Sequence, residues 1–260
     1  MVRSLFVSII ICMILTACSS GPPIAPTMSE NIILEPSAIP TVTAVSSPSP
    51  TLFVPTLPPE PTMDVNFFRE EFVQTLDTEW SWVREDPENW SLEMAPGTLQ
   101  INASDGYVLA HSNDNMLLRP VPDGNFQIET QVSFEPRFNF EFAGLIIYES
   151  DSDFIQAGLG YCSSVDCIGE GLYMNSFQDG VVQKPSPMQI YAHENLVFLR
   201  LSRRENTYTF ESSENGNVWF FIGSQTIDIN PMQIGLVASQ NLRGDILPAR
   251  FRYFEIRSLP

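Results

Sequence analysis

The run Asn125-Phe126-Gln127-Ile128-Glu129-Thr130-Gln131-Val132-Ser133-Phe134 alternates apolar and polar side chains almost residue by residue. Phe126, Ile128, Val132 and Phe134 share one face, and Gln127, Glu129, Gln131 and Ser133 share the other. Successive side chains of an extended backbone point to opposite sides, so a period of two marks a strand with one buried and one wet face. Downstream, Phe142-Ala143-Gly144-Leu145-Ile146-Ile147-Tyr148 is apolar on both faces, as a central strand would be. Asp153-Phe154-Ile155-Gln156-Ala157-Gly158-Leu159-Gly160 follows a polar turn, Glu149 to Ser152, and the two runs predict a hairpin. Further strand-like runs are Thr98–Ala103, Gly171–Phe177, Leu196–Arg203, Thr207–Ser212, Val218–Ile222, Gln233–Ala238 and Arg250–Arg257. The dipeptides Asp123-Gly124, Asp179-Gly180 and Asn215-Gly216 are turn signals between them. No stretch holds a helical period for more than two turns, and no unit recurs at a fixed spacing, which argues against a propeller. Many antiparallel strands without helices predict an all-β sandwich or barrel.

Outward from this domain the chain changes character. Met1-Val2-Arg3-Ser4 precedes an apolar run from Leu5 to Leu15. That run is shorter than the ~20 residues a membrane helix needs and has the length of a secretory h-region. Leu15-Thr16-Ala17-Cys18 follows and resembles the bacterial lipobox, which implies diacylglycerol on the Cys18 sulfur and cleavage before it. The alternatives are an ordinary signal peptide cut after Ala17, or a plain membrane anchor. Acyl chains on Cys18 would tie the protein to the bacterial envelope, with the domain outside the cytoplasm. From Ser19 to Thr62, Pro22, Pro23, Pro26, Pro36, Pro40, Pro48, Pro50, Pro55, Pro58, Pro59 and Pro61 recur among Ser, Thr and Ala. Proline removes backbone donors and biases its predecessor towards extended geometry. The expected organisation is a signal segment at 1–17, a lipid-anchored disordered tether at 18–62 and the β domain at 63–260. At ~3.1 Å per residue the tether would reach on the order of 130 Å when fully extended.

The net charge is −18. Phosphate binding needs a basic surface, so nucleic acid is excluded as a partner. A monomeric domain is expected.

Trp80-Ser81-Trp82-Val83-Arg84-Glu85-Asp86-Pro87-Glu88-Asn89-Trp90-Ser91-Leu92, with Pro96-Gly97-Thr98-Leu99-Gln100-Ile101, resembles the concanavalin A-like domain at the C-terminus of family 43 β-xylosidases. It is similar also to stand-alone DUF1349-type domains. The likeness continues in order through Asn115–Leu118, Pro122–Phe126, Ala143–Tyr148, Leu199–Leu201, Tyr208 and Asn215–Trp219. It implies a jelly-roll of two antiparallel sheets, and a module that carries no catalytic carboxylates.

Several constellations carry chemistry. On a strand, Trp80, Trp82 and Arg84 would project from one face, where indoles stack on sugar rings and a guanidinium binds hydroxyls. The other reading makes both indoles core, with Arg84 closing the edge. Tyr161 and Tyr173 join Trp82 and Arg84 as expected carbohydrate contacts on the concave sheet. Glu149, Asp151 and Asp153 alternate as glucanase carboxylates do, but with Asp in the third place and at a turn, so a solvated turn is expected. A structural calcium there lacks EF-type spacing, and no cofactor is called for. Ser212-Ser213-Glu214-Asn215-Gly216-Asn217-Val218-Trp219 resembles a sialidase Asp-box with Glu for Asp, a hairpin stabiliser. With Cys12 removed and Cys18 acylated, Cys162 and Cys167 are the thiols left to pair, and a disulfide between them would staple a short loop. His111 and His193 lack metal-ligand spacing. The functions these features allow are, in order, a non-catalytic glycan-binding module, an envelope protein-interaction or scaffold domain, and a divergent glycoside hydrolase.

Overall fold

A computed structural model describes residues 67–106, 108, 111–164, 167–183, 189–190, 196–240 and 245–260. Cys18, the signal-like segment and the proline-rich tether lie outside the described residues, as do His193 and the side chains of Cys162 and Cys167. Residues Pro59–Pro260 cluster as one compact unit. Among the described residues there is no α-helix and none that could cross a membrane.

Two sheets are formed. In the first, β15 (Phe220–Thr226), β14 (Thr207–Ser213), β13 (Leu196–Arg204), β7 (Asn125–Ser133), β17 (Pro248–Leu259), β4 (Leu99–Asn102) and β3 (Trp90–Ser91) are neighbours in that order. Beside them, β1 (Phe67–Glu70) pairs with β17. In the second, the order is β11 (Val181–Val182), β10 (Cys167–Gln178), β9 (Asp153–Ser164), β8 (Phe142–Ser150), β16 (Gln233–Gln240), β6 (Met116–Pro120) and β2 (Ser81–Val83). To this sheet β12 (Gln189–Ile190) adds on β10, and β5 (Ser104–Asp105) adds on β16 in parallel. The other pairs are antiparallel. Phe126, Ile128 and Val132 of β7 are fully buried and share one core with Leu145 and Ile147 of β8 and Leu199 and Leu201 of β13. The predicted sandwich is therefore present, with the expected face of β7 turned inward.

Turn chemistry sets the hairpins. Asp179 and Gly180 both take positive φ, 50° and 73°, the conformation a two-residue type I′ turn demands. Gly124 and Gly216 are likewise at 74°. Several strand limits differ from expectation, and two of them bear on the candidate sites. The last hairpin strand starts at Phe220, not Val218, because the Asn215 Oδ1 accepts the Val218 N–H at 3.0 Å and holds it in the loop. The other is β10, which begins at Cys167, four residues before the expected Gly171, and pairs with β9 without interruption. Cys162 and Cys167 thus lie on paired strand backbone, Cys162 opposite Gly169 and Cys167 opposite Ser164, rather than in a loop.

The outer face of the second sheet departs most from expectation. Met116, Leu118, Phe142, Ile146, Phe154 and Val237 alternate away from the central core, yet none is more than 1% exposed. They form a second apolar cluster with Val108 from the segment between β5 and β6. Val83, Tyr148, Tyr173 and Phe177 pack around it. Glycine floors this face. A Cβ on Gly144 would lie 2.3 Å from the Ala157 carbonyl oxygen and 2.6 Å from the Gly158 Cα, both backbone atoms that cannot move aside. The centre of this sheet is sealed and does not offer the open aromatic surface expected of it.

Candidate functional site

Arg84 follows β2 but does not continue its alternation. Its φ of 53° turns the chain, so Arg84 leaves the face it would have shared with Trp80 and Trp82. The guanidinium instead grips Asp151 through both terminal nitrogens, at 2.8 and 3.1 Å, and donates Nε to the Asn113 carbonyl at 2.8 Å. His111 Nδ1 lies 2.7 Å from the same carboxylate, and the Tyr148 hydroxyl donates to it at 3.0 Å. Burial alone would raise the Asp151 carboxyl. The hydrogen bonds from Arg84, His111 and Tyr148, with the Arg84 charge, outweigh it and hold Asp151 below the usual carboxylate range. The Tyr148 phenol is pushed up to about 12 by burial and by the Asp151 charge. Val83 and Tyr148, which flank this contact, both pack on the second apolar cluster, so the contact is a polar clasp bordering the sealed apolar face.

The remaining expected contacts do not meet. Trp82 packs against Trp90 with ring centroids 4.8 Å apart, and both border the main core. Trp80 packs edge-on to Phe254 at 5.1 Å, beneath the Arg119 guanidinium that stacks on Phe68 at 3.3 Å. Tyr173 lies on the outer face of the second sheet, 5.3 Å from Phe142. Tyr161, in register with Glu170, follows the parity of buried Leu159 and so belongs to the opposite face. Trp82, Arg84, Tyr161 and Tyr173 do not converge on one surface.

The acidic run also disperses. Glu149 accepts the Asn230 N–H at 2.8 Å, Asp151 belongs to the clasp, and Asp153 accepts from Ser150 Oγ and the Asp179 N–H, both at 2.8 Å. A register shift between Tyr148 and Ser150 breaks the alternation that would have aligned them. Among the described residues no group of three His, Cys, Asp or Glu side chains is placed to hold a metal ion. In the Asp-box-like loop the capping falls to Ser213, which accepts from the Gly216 N–H at 2.9 Å, and to Asn215, which accepts from Asn217 and Val218. Glu214 takes no part in these bonds; Asn215 has the shorter side chain that fits an Asx turn.

A cleft of about 210 Å³ opens at one end of the sandwich. Parts of two connections between the sheets line it, residues 134–141 from β7 to β8 and residues 245–247 before β17. Glu141, 3% exposed, braces the first by accepting the Arg137 and Phe138 N–H groups. The Tyr161 N–H donates to the Glu141 carbonyl at 3.1 Å, so Tyr161 stands at this end of the molecule. Sequence reasoning missed the cleft because its walls come from residues more than a hundred positions apart, with no local motif.

Two stacked antiparallel sheets, with connections crossing between them at the ends, define a concanavalin A-like sandwich. The family model for the β-xylosidase C-terminal concanavalin A-like domain matches residues 69–257. The chain belongs to that family. It is 26% identical over 204 residues to the non-reducing end α-L-arabinofuranosidase BoGH43B of Bacteroides ovatus, covering 74% of this chain and 37% of that protein. The GH43 protein BlXynB of Bacillus licheniformis superposes with a TM-score of 0.66 at 21% identity, over 74% of this chain and 39% of that one. The β-glucanase of Bacillus licheniformis gives 0.52 at 11% identity, over 75% of this chain and 98% of that one. The chain thus spans less than two fifths of the length of these two GH43 relatives.

Proposed function

We propose that the chain is an exported lipoprotein, anchored through Cys18, that displays a non-catalytic carbohydrate-binding sandwich. The observation that carries this reading is the family match across residues 69–257, with relatives named as glycoside hydrolases. The dispersal of Glu149, Asp151 and Asp153 into separate structural bonds supports a binding role. Glycoside hydrolysis needs two carboxyl groups facing one bond, and these three face different partners. The lipobox-like Leu15-Thr16-Ala17-Cys18 supports the anchor.

A glycan array probed with the purified chain tests the first half. Saturable binding without release of reducing sugar is expected, and release of reducing sugar would replace the reading with a hydrolase. Labelling cells with a palmitate analogue tests the second half. Incorporation should vanish in Cys18→Ser, and its persistence would move the anchor elsewhere. One observation favours the scaffold reading instead. Val218, Phe220 and Phe221 are 55–64% exposed at the edge of the first sheet, a place where strands pair with other chains. A silent array with one envelope protein recovered by cross-linking would establish that alternative.

A further inference from the structure

We infer that the cleft at the end of the sandwich is the saccharide site, and that it takes a single neutral sugar ring. This rests on the carbohydrate-binding reading above and adds to it a place and a ligand class. The lining alternates donors, acceptors and apolar surface through Glu135, Arg137, Phe138, Asp245, Ile246 and Arg250. Arg250 uses only Nε within the protein, donating to Gln100 Oε1 at 3.0 Å, and its terminal nitrogens have no partner among the described residues. Arg137 meets Glu135 at 3.3 Å with both side chains well exposed, a loose pair that ligand hydroxyls can enter. Asp245 accepts no side-chain bond among the described residues, while its carbonyl is fixed by the Gln240 amide at 2.9 Å. Phe138 presents part of its ring to the cleft and Ile246 is 78% exposed beside it.

The chemistry of this lining selects its ligand. A sugar hydroxyl both donates and accepts, so one ring satisfies Glu135 and Asp245 as acceptors and Arg137 and Arg250 as donors. The C–H face of the ring suits Phe138 and Ile246. A carboxylated sugar would set its charge against Glu135 and Asp245 in a chain of net charge −18. A cation would meet two guanidinium groups. The volume of about 210 Å³ falls below the roughly 300–1,000 Å³ of sites for drug-sized ligands. One ring fits, and the rest of a chain must leave the cleft past Phe138 and Ile246. Glu141 does not contact the ligand in this scheme. It positions the 137–141 turn through its two backbone bonds.

The test uses the full chain in a non-glycosidic detergent, with xylose, arabinose, glucuronic acid and glycine as probes. Saturation-transfer NMR should show ring-proton contacts for the two pentoses, with glucuronic acid and glycine binding at least about 10-fold more weakly. Arg250→Ala and Asp245→Asn should each weaken pentose binding by about 10-fold, the size of one hydrogen bond to a charged group. Phe138→Leu should lessen the ring-proton signal, and Arg252→Ala, an exposed change away from the cleft lining, should leave binding unchanged. Circular dichroism melts matching the wild type confirm that each variant is folded. Pentose binding that survives both Arg250→Ala and Asp245→Asn would overturn the cleft while leaving a carbohydrate-binding chain. Glucuronic acid or glycine binding tighter than the pentoses would overturn the ligand class. Silence from every sugar, on the array and by NMR, would remove both readings.

Discussion

The outer faces of the two sheets are built on opposite principles. On the first sheet the outward side chains of β7, β13 and β17 form a charged ladder. Glu129 accepts from Arg200 at 3.0 Å and from the Tyr253 hydroxyl at 2.7 Å, and Glu255 pairs with Arg69 at 2.7 Å. Aromatic rings are used there as lids for cations, with Arg69 3.8 Å above Tyr253 and Arg200 3.5 Å above Trp219. On the second sheet the outward side chains Met116, Leu118, Phe142, Ile146, Phe154 and Val237 are aliphatic or aromatic and buried, with the clasp and the polar side chains of Gln156, Gln233 and Ser239 around them. The sandwich therefore has two layers of buried apolar contact rather than one, counting the sealed outer face. A polar ladder can face water without help. An apolar outer face must be covered, and the covering segments then need their own fastening.

The largest test of this contrast is Phe142→Ala. If the outer face of the second sheet is a true core, removing a ring that is 1% exposed costs about 3–5 kcal/mol. A urea titration reads this directly, and a loss under about 0.5 kcal/mol, typical of surface changes, would mean the face is open. Next in size is Asp151→Asn. The clasp loses the charge that Arg84 grips bidentately and leaves a half-buried guanidinium short of its partner, for about 2 kcal/mol at neutral pH, less than a fully buried pair. Because the folded carboxyl is held below its ordinary value near 3.9, its contribution is complete above that pH and fades as pH falls through the lowered value. The gap between wild type and Asp151→Asn should thus close on acidification below about 4. A gap that persists at pH 2.5 would show that the amide disrupts packing rather than charge.

The contrast also explains what the amino-acid order revealed. β7 was legible because Phe126, Ile128 and Val132 face a core while Gln127, Glu129 and Gln131 face water, which is what a period of two records. β8 was legible as a central strand, but its apolar outward residues look the same whether a neighbouring segment or a ligand covers them. Among the described residues Val108, from a segment without strand or helix period, decides that, and such a contact leaves no periodic trace. The clasp was hidden for a related reason. The pattern Trp80-x-Trp82-x-Arg84 predicts a shared face only while the backbone stays extended, and the positive φ at Arg84 ends that. The tryptophans went into packing instead, Trp82 on Trp90 and Trp80 on Phe254. The cleft was least legible, since the sheet-crossing connections that build it meet only once both sheets have formed.

The smallest effect is expected on the charged ladder, from Glu129→Gln. Both carboxylate oxygens are in use, one by Arg200 and the other by the Tyr253 hydroxyl. The amide keeps an oxygen for Arg200 and turns its NH₂ to Tyr253, whose hydroxyl can rotate to accept. Both amide groups find partners, so the loss is chiefly the difference between a charged and a neutral hydrogen bond, about 1 kcal/mol. The variant carries a second, independent readout. Burial, and after it the bond to Glu129, hold the Tyr253 phenol above its ordinary range. Removing the carboxylate charge should lower the Tyr253 ionisation point in an ultraviolet titration, while burial keeps it above that of an exposed tyrosine. A loss as large as that of Asp151→Asn would show that the two faces depend equally on their charges, and the contrast between them would fail.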